Sequence, residues 1–333
     1  MAALTRCYSL PQNVNKVADF TFYRLQNIPK TQGQCQSSKH FVTLSRVKPK
    51  KYQLFFRAPV RNFRSKQPTI ISESRKPGLL SQILKPLGFT VLVGSTSFAS
   101  LLFILHEKTR NPEYYFKTHR EEYLQFLRVV IGIIGMNCAV LILWRVPQLH
   151  SFMSKYFTCA NGQPVISMLL SSFSHSNGIH LLMNMYVFWT FSGPLFNTVR
   201  QTEVFSWLYI NGAIVSSLTS LMLKAVRFSA IPSVGASGAI LTCIACVCYA
   251  FPKATLGFPI ISDLTGFYFT AETGLKGIIL LDVCGIIFRW NMLDHAGHLG
   301  GVLFGLWYMH YGRHQINKLV QKYHRLQSGG KKK

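Results

Sequence analysis

Acidic residues are scarce: 11 Asp and Glu stand against 36 Lys and Arg in 333 residues, a formal net charge of +25. The shortage is sharpest at the start, where residues 1–85 hold 16 Lys or Arg but only Asp19 and Glu73 as acids. The same stretch has no apolar segment of the kind that forms the core of a secretory signal, which excludes that class of leader. An Arg-rich, acid-poor, Ser-containing leader instead predicts a mitochondrial transit peptide followed by a disordered basic tail over 1–85. Charge of either sign is nearly missing from a series of long apolar runs, so a soluble two-domain protein is excluded. The runs also lack the two-residue alternation of barrel strands. No internal repeat is visible. Cys243 and Cys246 form a C-x-x-C without a second pair nearby, so a zinc site is not expected, and three of the eight cysteines crowd into one apolar run as small buried hydrophobes.

The apolar runs lie at 87–105, 126–144, 178–196, 204–223, 234–251, 273–290 and 296–311. A hydrocarbon layer roughly 30 Å thick needs about 17 to 25 helical residues per crossing, and only helices or closed barrels satisfy their own backbone groups there. The expected fold is therefore an all-α membrane protein with the lipid bilayer as its partner. An extra N-terminal helix at 86–106 and a connecting loop at 107–125 precede a six-helix core at 126–312, which a basic C-terminal tail at 313–333 follows. The stretch 254–271 is apolar too, but Gly257, Pro259, Asp263 and Gly266 read as a loop or re-entrant piece. A basic arm could suit a polyanion, yet such an arm needs no membrane core behind it, and no nucleic-acid partner is expected.

Polar residues gather where alternate core spans begin. The second core span opens with His175, His180 and Asn184, the fourth with "GASG" around Ser237, and the sixth with "DHAGHLGG" around His298. In a serpentine of helices these three starts share one membrane face, and at 1.5 Å per residue the side chains lie within two turns of it. Gly301 and Gly305 form G-x-x-x-G in the sixth span, while Gly235, Ala236, Gly238 and Ala239 line the fourth, so their backbones can approach closely. A hydrogen bond of about 2.6 to 3.2 Å between Ser237 and His298 is then expected.

Such a pair can do acyl-transfer chemistry without a cofactor or metal. A serine hydroxyl becomes a nucleophile when a neutral imidazole takes its proton. The start of the fourth span supplies backbone N–H groups for an oxyanion, and Asn184, on one helix face with His180, can add a side-chain N–H. Pro232 and Ser233 read as a turn and a helix cap, which distinguishes "GASG" from the strand-borne G-x-S-x-G elbow. Asp294 reads as the cap of the sixth span. Asp282, in the middle of the fifth, is an intramembrane carboxylate that reads as structural, and His295 is expected at the membrane interface.

Taken together, His175/His180/Asn184, Gly235/Ser237/Gly238 and Ala296 to Gly305 resemble the H-x4-H-x3-N, G-x-S-G and A-x-H-x-x-G-x-x-x-G motifs of rhomboid intramembrane serine proteases. The extra first span, the basic leader and "DHAGHLGGVLFGLWY" are similar to the mitochondrial subgroup of that family. The resemblance implies Ser237 as nucleophile, His298 as base, and His180, Asn184, Gly235 and Gly238 around the oxyanion and substrate. It also implies an inner-membrane location and single-span transmembrane proteins as substrates. Many bacterial members carry an aromatic four residues after the serine; Leu241 occupies that place here, leaving His298 to be oriented by packing alone. A polytopic transporter is the rival class, but no paired halves are visible. A non-catalytic relative that binds membrane helices is the other, and such a protein would lack the dyad.

Overall fold

The computed structural model describes residues 78–110, 119–257 and 261–329. The predicted transit peptide and basic tail fall outside the described residues except for their last few, as does the terminal Lys331–Lys333. Helix α1 spans Leu79–Arg110 and α2 spans His119–Leu143. Short helices α3 (His150–Tyr156) and α4 (Ser167–Leu170) follow, then α5 (Gly178–Val199), α6 (Thr202–Arg227) and α7 (Ser237–Ala250). The chain continues through β1 (Thr255–Gly257), α8 (Ile261–Thr265) and β2 (Tyr268–Thr270) to α9 (Ala271–Ile287), α10 (His295–Trp307) and α11 (Arg313–Gly329). Among the described residues three helices are, by length and composition alone, able to cross a membrane: Leu79–Lys108, Arg120–Leu143 and Thr202–Arg227, with Ser237–Ala250 a shorter apolar helix.

Helix boundaries follow local chemistry. The side chain of Asn177 caps α5 by accepting from His180 N, and Thr270 caps α9 by accepting from Thr273 N. Asp294 caps α10 through Gly297 N at 3.1 Å, and its other oxygen accepts from Ser220 at 2.5 Å. The predicted cap Ser233 does not cap. Gly235 has φ +134°, a conformation that delays the helix until Ser237, with Ala236 at the cap position and no side-chain bond. Ser233 pairs with Cys159 in an antiparallel bridge instead. Between α7 and α9 the chain makes a hairpin, Thr255 opposite Thr270, in agreement with a loop at 254–271.

Helix α6 is the centre of the described fold: two-thirds of its apolar window is buried, against 6% for α1. It packs on α1, α7 and α10. The large exposed side chains of α1, including Val91, Leu92 and Phe103, suit a hydrocarbon surrounding. One end of α1 is held by charge, because Lys108 lies 2.7 Å from the carboxylate of Glu203 on α6 and 3.5 Å from that of Glu122 on α2. Glu122 also accepts from Thr202 N at 3.0 Å.

The closest helix contact joins α7 to α10. A Cβ on Gly301 would collide with the carbonyl of Gly238, and one on Gly305 would lie 2.5 Å from Thr242 O. Both obstacles are backbone and cannot rotate away. Thr242 fastens the seam by donating to Gly301 O at 2.9 Å. Gly301→Ala is therefore expected to push the helices apart and destabilise the protein by about 1–3 kcal/mol, the usual range for overpacking. A melting temperature in detergent equal to wild type would contradict this.

Candidate active site

The tight α7–α10 seam brings two first turns together. Ser237 opens α7, His298 lies one turn into α10, and Ser237 Oγ is 2.8 Å from His298 Nε2. The other ring nitrogen, Nδ1, is 3.3 Å from Asp282 Oδ1, which reaches across from α9. Asp282 is fully buried. Its carboxylate can only accept, which fixes His298 as the tautomer with hydrogen on Nδ1 and a lone pair facing the serine. The expectation that packing alone orients His298 is thus corrected, since a carboxylate is aimed at its far nitrogen. The relevant signal was the mid-span position of Asp282, whose partner thirteen to sixteen residues away no motif spacing reveals.

His295 is also not where the sequence puts it. It is buried rather than interfacial, and its Nδ1 lies 2.8 Å from the same Asp282 oxygen. The structure gathers three ligand-type atoms, from Asp282, His295 and His298, within 4.8 Å of one another. The 2.8 and 3.3 Å contacts are those of N–H donors on a carboxylate, so hydrogen bonding accounts for the cluster.

His180 approaches from α5. A Cβ on Gly235 would stand a tight 3.2 Å from His180 Cε1 and 3.8 Å from Ser237 Oγ, and the Gly235 φ of +134° is a conformation that favours glycine. The Nδ1 of His180 lies 3.2 Å from Ser176 Oγ. Asn184 gives one N–H to its own helix, at 2.9 Å from His180 O, leaving the second hydrogen of its amide. Gly238 serves packing: a side chain there would strike Ser216 of α6. Its backbone N–H lies in the first turn of α7, where N–H groups have no intrahelical acceptor. His175 is buried, its ring 5.0 Å from that of His180. Burial first, and the neighbouring His180 second, push its imidazole down to about 4, so it is neutral at neutral pH.

A cavity of about 30 Å³ adjoins the pair, bounded by Ser171, Ser216, Ser217, Ser233, Ser237 and His298. That is room for about two waters among hydroxyls. Ser216 and Ser217 were not legible in the sequence, because nothing in their spacing sets them apart from packing serines. Lys224 holds the wall of this region, donating to Ser233 Oγ at 2.6 Å and to Cys159 O at 3.0 Å. A larger cavity of about 120 Å³ lies elsewhere, between the start of α1 and residues 160–168, and has none of the reacting groups.

Comparison with known proteins bears on this arrangement. Residues 162–315 match the Rhomboid domain. The presenilin-associated rhomboid-like protein, mitochondrial, of Homo sapiens is 36% identical over 287 residues, covering 77% of this chain and 75% of its own length. Its counterpart in Rattus norvegicus is 43% identical over 212 residues, covering 62% and 55%. Rhomboid protein 1, mitochondrial, of Saccharomyces cerevisiae is 33% identical over 253 residues, covering 74% and 69%. The match spans about half the length of the Danio rerio and rat relatives, 53% and 55%.

Proposed function

Because the chain belongs to the rhomboid family, in its mitochondrial subgroup, we propose that it is an intramembrane serine endopeptidase that cuts single-span proteins in or near their transmembrane helices. The observation that carries this reading is the 2.8 Å contact between Ser237 Oγ and His298 Nε2, with Asp282 on the opposite side of the ring. The mitochondrial names of the relatives and the apolar helices support a mitochondrial membrane protein. The inner membrane is our assignment, as is the arrangement of one helix, α1, outside a core of six crossings by α2, α5, α6, α7, α9 and α10.

The chemistry follows from the positions. Ser237 Oγ attacks the scissile carbonyl carbon as His298 Nε2 takes its proton, and Asp282 stabilises the imidazolium through Nδ1–H. The oxyanion faces the N–H groups at the start of α7, the positive end of the helix dipole, and the amide of Asn184. His298 then protonates the departing amine, leaving an ester on Ser237. Water drawn through the serine-lined cavity attacks the ester carbonyl and gives its proton to His298, which passes it to Ser237 Oγ as the ester bond breaks and the acid is released. Because a helical substrate shields its own carbonyls, the bond to be cut must first unwind, so glycine, proline or polar residues near it favour cleavage.

The test is reconstitution in liposomes with a single-span substrate, followed by sequencing of the product ends. In that assay Asn184→Ala is expected to lower turnover on the order of 10²-fold, the usual effect of losing one oxyanion donor. Full turnover in this variant would remove Asn184 from the oxyanion site.

A further inference from the structure

His295 shares an acceptor with the proposed base. Its Nδ1 is 2.8 Å from Asp282 Oδ1, closer than the 3.3 Å of His298 Nδ1 to that same atom. The second oxygen, Oδ2, is buried and has no hydrogen-bond partner among the described residues. A lone carboxylate at this depth is expensive to ionise and needs donors to hold its charge. Two imidazole N–H groups on one oxygen supply them. His295 fits its place closely: a Cβ on Gly285, one turn beyond Asp282 on α9, would collide with its ring, and Trp290 covers it edge-on at 5.9 Å between ring centroids.

We infer that His295 is a positioning residue of the proposed protease: it anchors the side chain of Asp282 as an acceptor, so that Asp282 can hold the ring of His298 toward Ser237. This inference rests on the proteolytic reading above. The chain of contacts runs from α10 to α9, back to α10 and on to α7, so one carboxylate in the middle of α9 registers the first turns of α10 and α7 against each other. Without His295, Asp282 would face the low-dielectric interior with a single, longer hydrogen bond. Its carboxylate would then be free to turn, and the Nδ1–H of His298 would lose a firmly placed acceptor.

The experiment uses the full chain in proteoliposomes with a single-span substrate. His295→Asn places an amide N–H near the position of Nδ1, whereas His295→Gln carries it further out, at about the reach of Nε2. Turnover within about threefold of wild type is expected for the first, and a loss of at least about tenfold for the second, with KM little changed in both. Combining His295→Gln with Asp282→Asn should add no further loss beyond Asp282→Asn, since both act through one contact. Equal activity of the Asn and Gln variants, or an additive double variant, would overturn the inference. Because these are polar replacements of similar size, a folding defect common to both would show as equal melting shifts and equal loss of turnover, which also counts against it. Ser237→Ala run alongside separates the two readings: residual cleavage there defeats the protease assignment itself, whereas an inactive Ser237→Ala with indifferent His295 variants defeats only the role of His295.

Discussion

Proteoliposomes carrying Ser237→Ala are expected to release no product, a loss of at least about 10⁴-fold, and His298→Ala is expected to match it. The equality matters as much as the size. A nucleophile and base that form one proton-transfer unit fail together, so removing either leaves only the contribution of oxyanion donors and binding. Ser237 Oγ has its acceptor at 2.8 Å, and without the imidazole the hydroxyl stays protonated at neutral pH. A fluorophosphonate probe gives the same answer without a substrate: it should label the wild-type chain and neither variant. Cleavage by Ser237→Ala at the wild-type rate would move the chemistry to another residue.

The second large effect concerns Asp282. Asp282→Asn keeps the shape of the side chain but can turn an N–H toward His298, which favours the tautomer with hydrogen on Nε2 and removes the lone pair that Ser237 needs. Turnover is expected to fall on the order of 10²- to 10³-fold with little change in KM. The reduction is placed below that of the dyad because the 3.3 Å contact to His298 Nδ1 is longer than a strong charge-assisted bond. Purified protein should elute as wild type in size-exclusion chromatography, so that lost turnover is not lost fold. An unchanged kcat would show that His298 needs no carboxylate.

What could be read in advance, and what could not, divides along a physical line. Helix positions follow from uninterrupted apolar runs, and the helical starts around Ser237 and His298 follow from small residues beside isolated polar ones. Those signals are local, lying within a turn or two of each other on the chain. The acid was not legible, because Asp282 reaches His298 only through the packing of α9 against α10, and a lone carboxylate among apolar residues looks the same whether or not it meets a histidine. His295 was misplaced for a related reason: a histidine beside a helix cap reads as interfacial unless a buried acceptor is known. Ser233 failed as a cap because the positive φ of Gly235 shifts the helix start by several residues, a backbone choice that the sequence permits without requiring.

The seam between Gly238 and Gly301 has one more implication. Main chain rests on main chain there, with no side chain between to swing aside, so Ser237 and His298 are held in register by backbone contact. On the proteolytic reading proposed above, readiness to react is then a standing property of the molecule, present before any client arrives. Under that proposal, discrimination among neighbouring membrane proteins is exercised upstream, by which helices loosen enough to present a bond to a blade that is never sheathed.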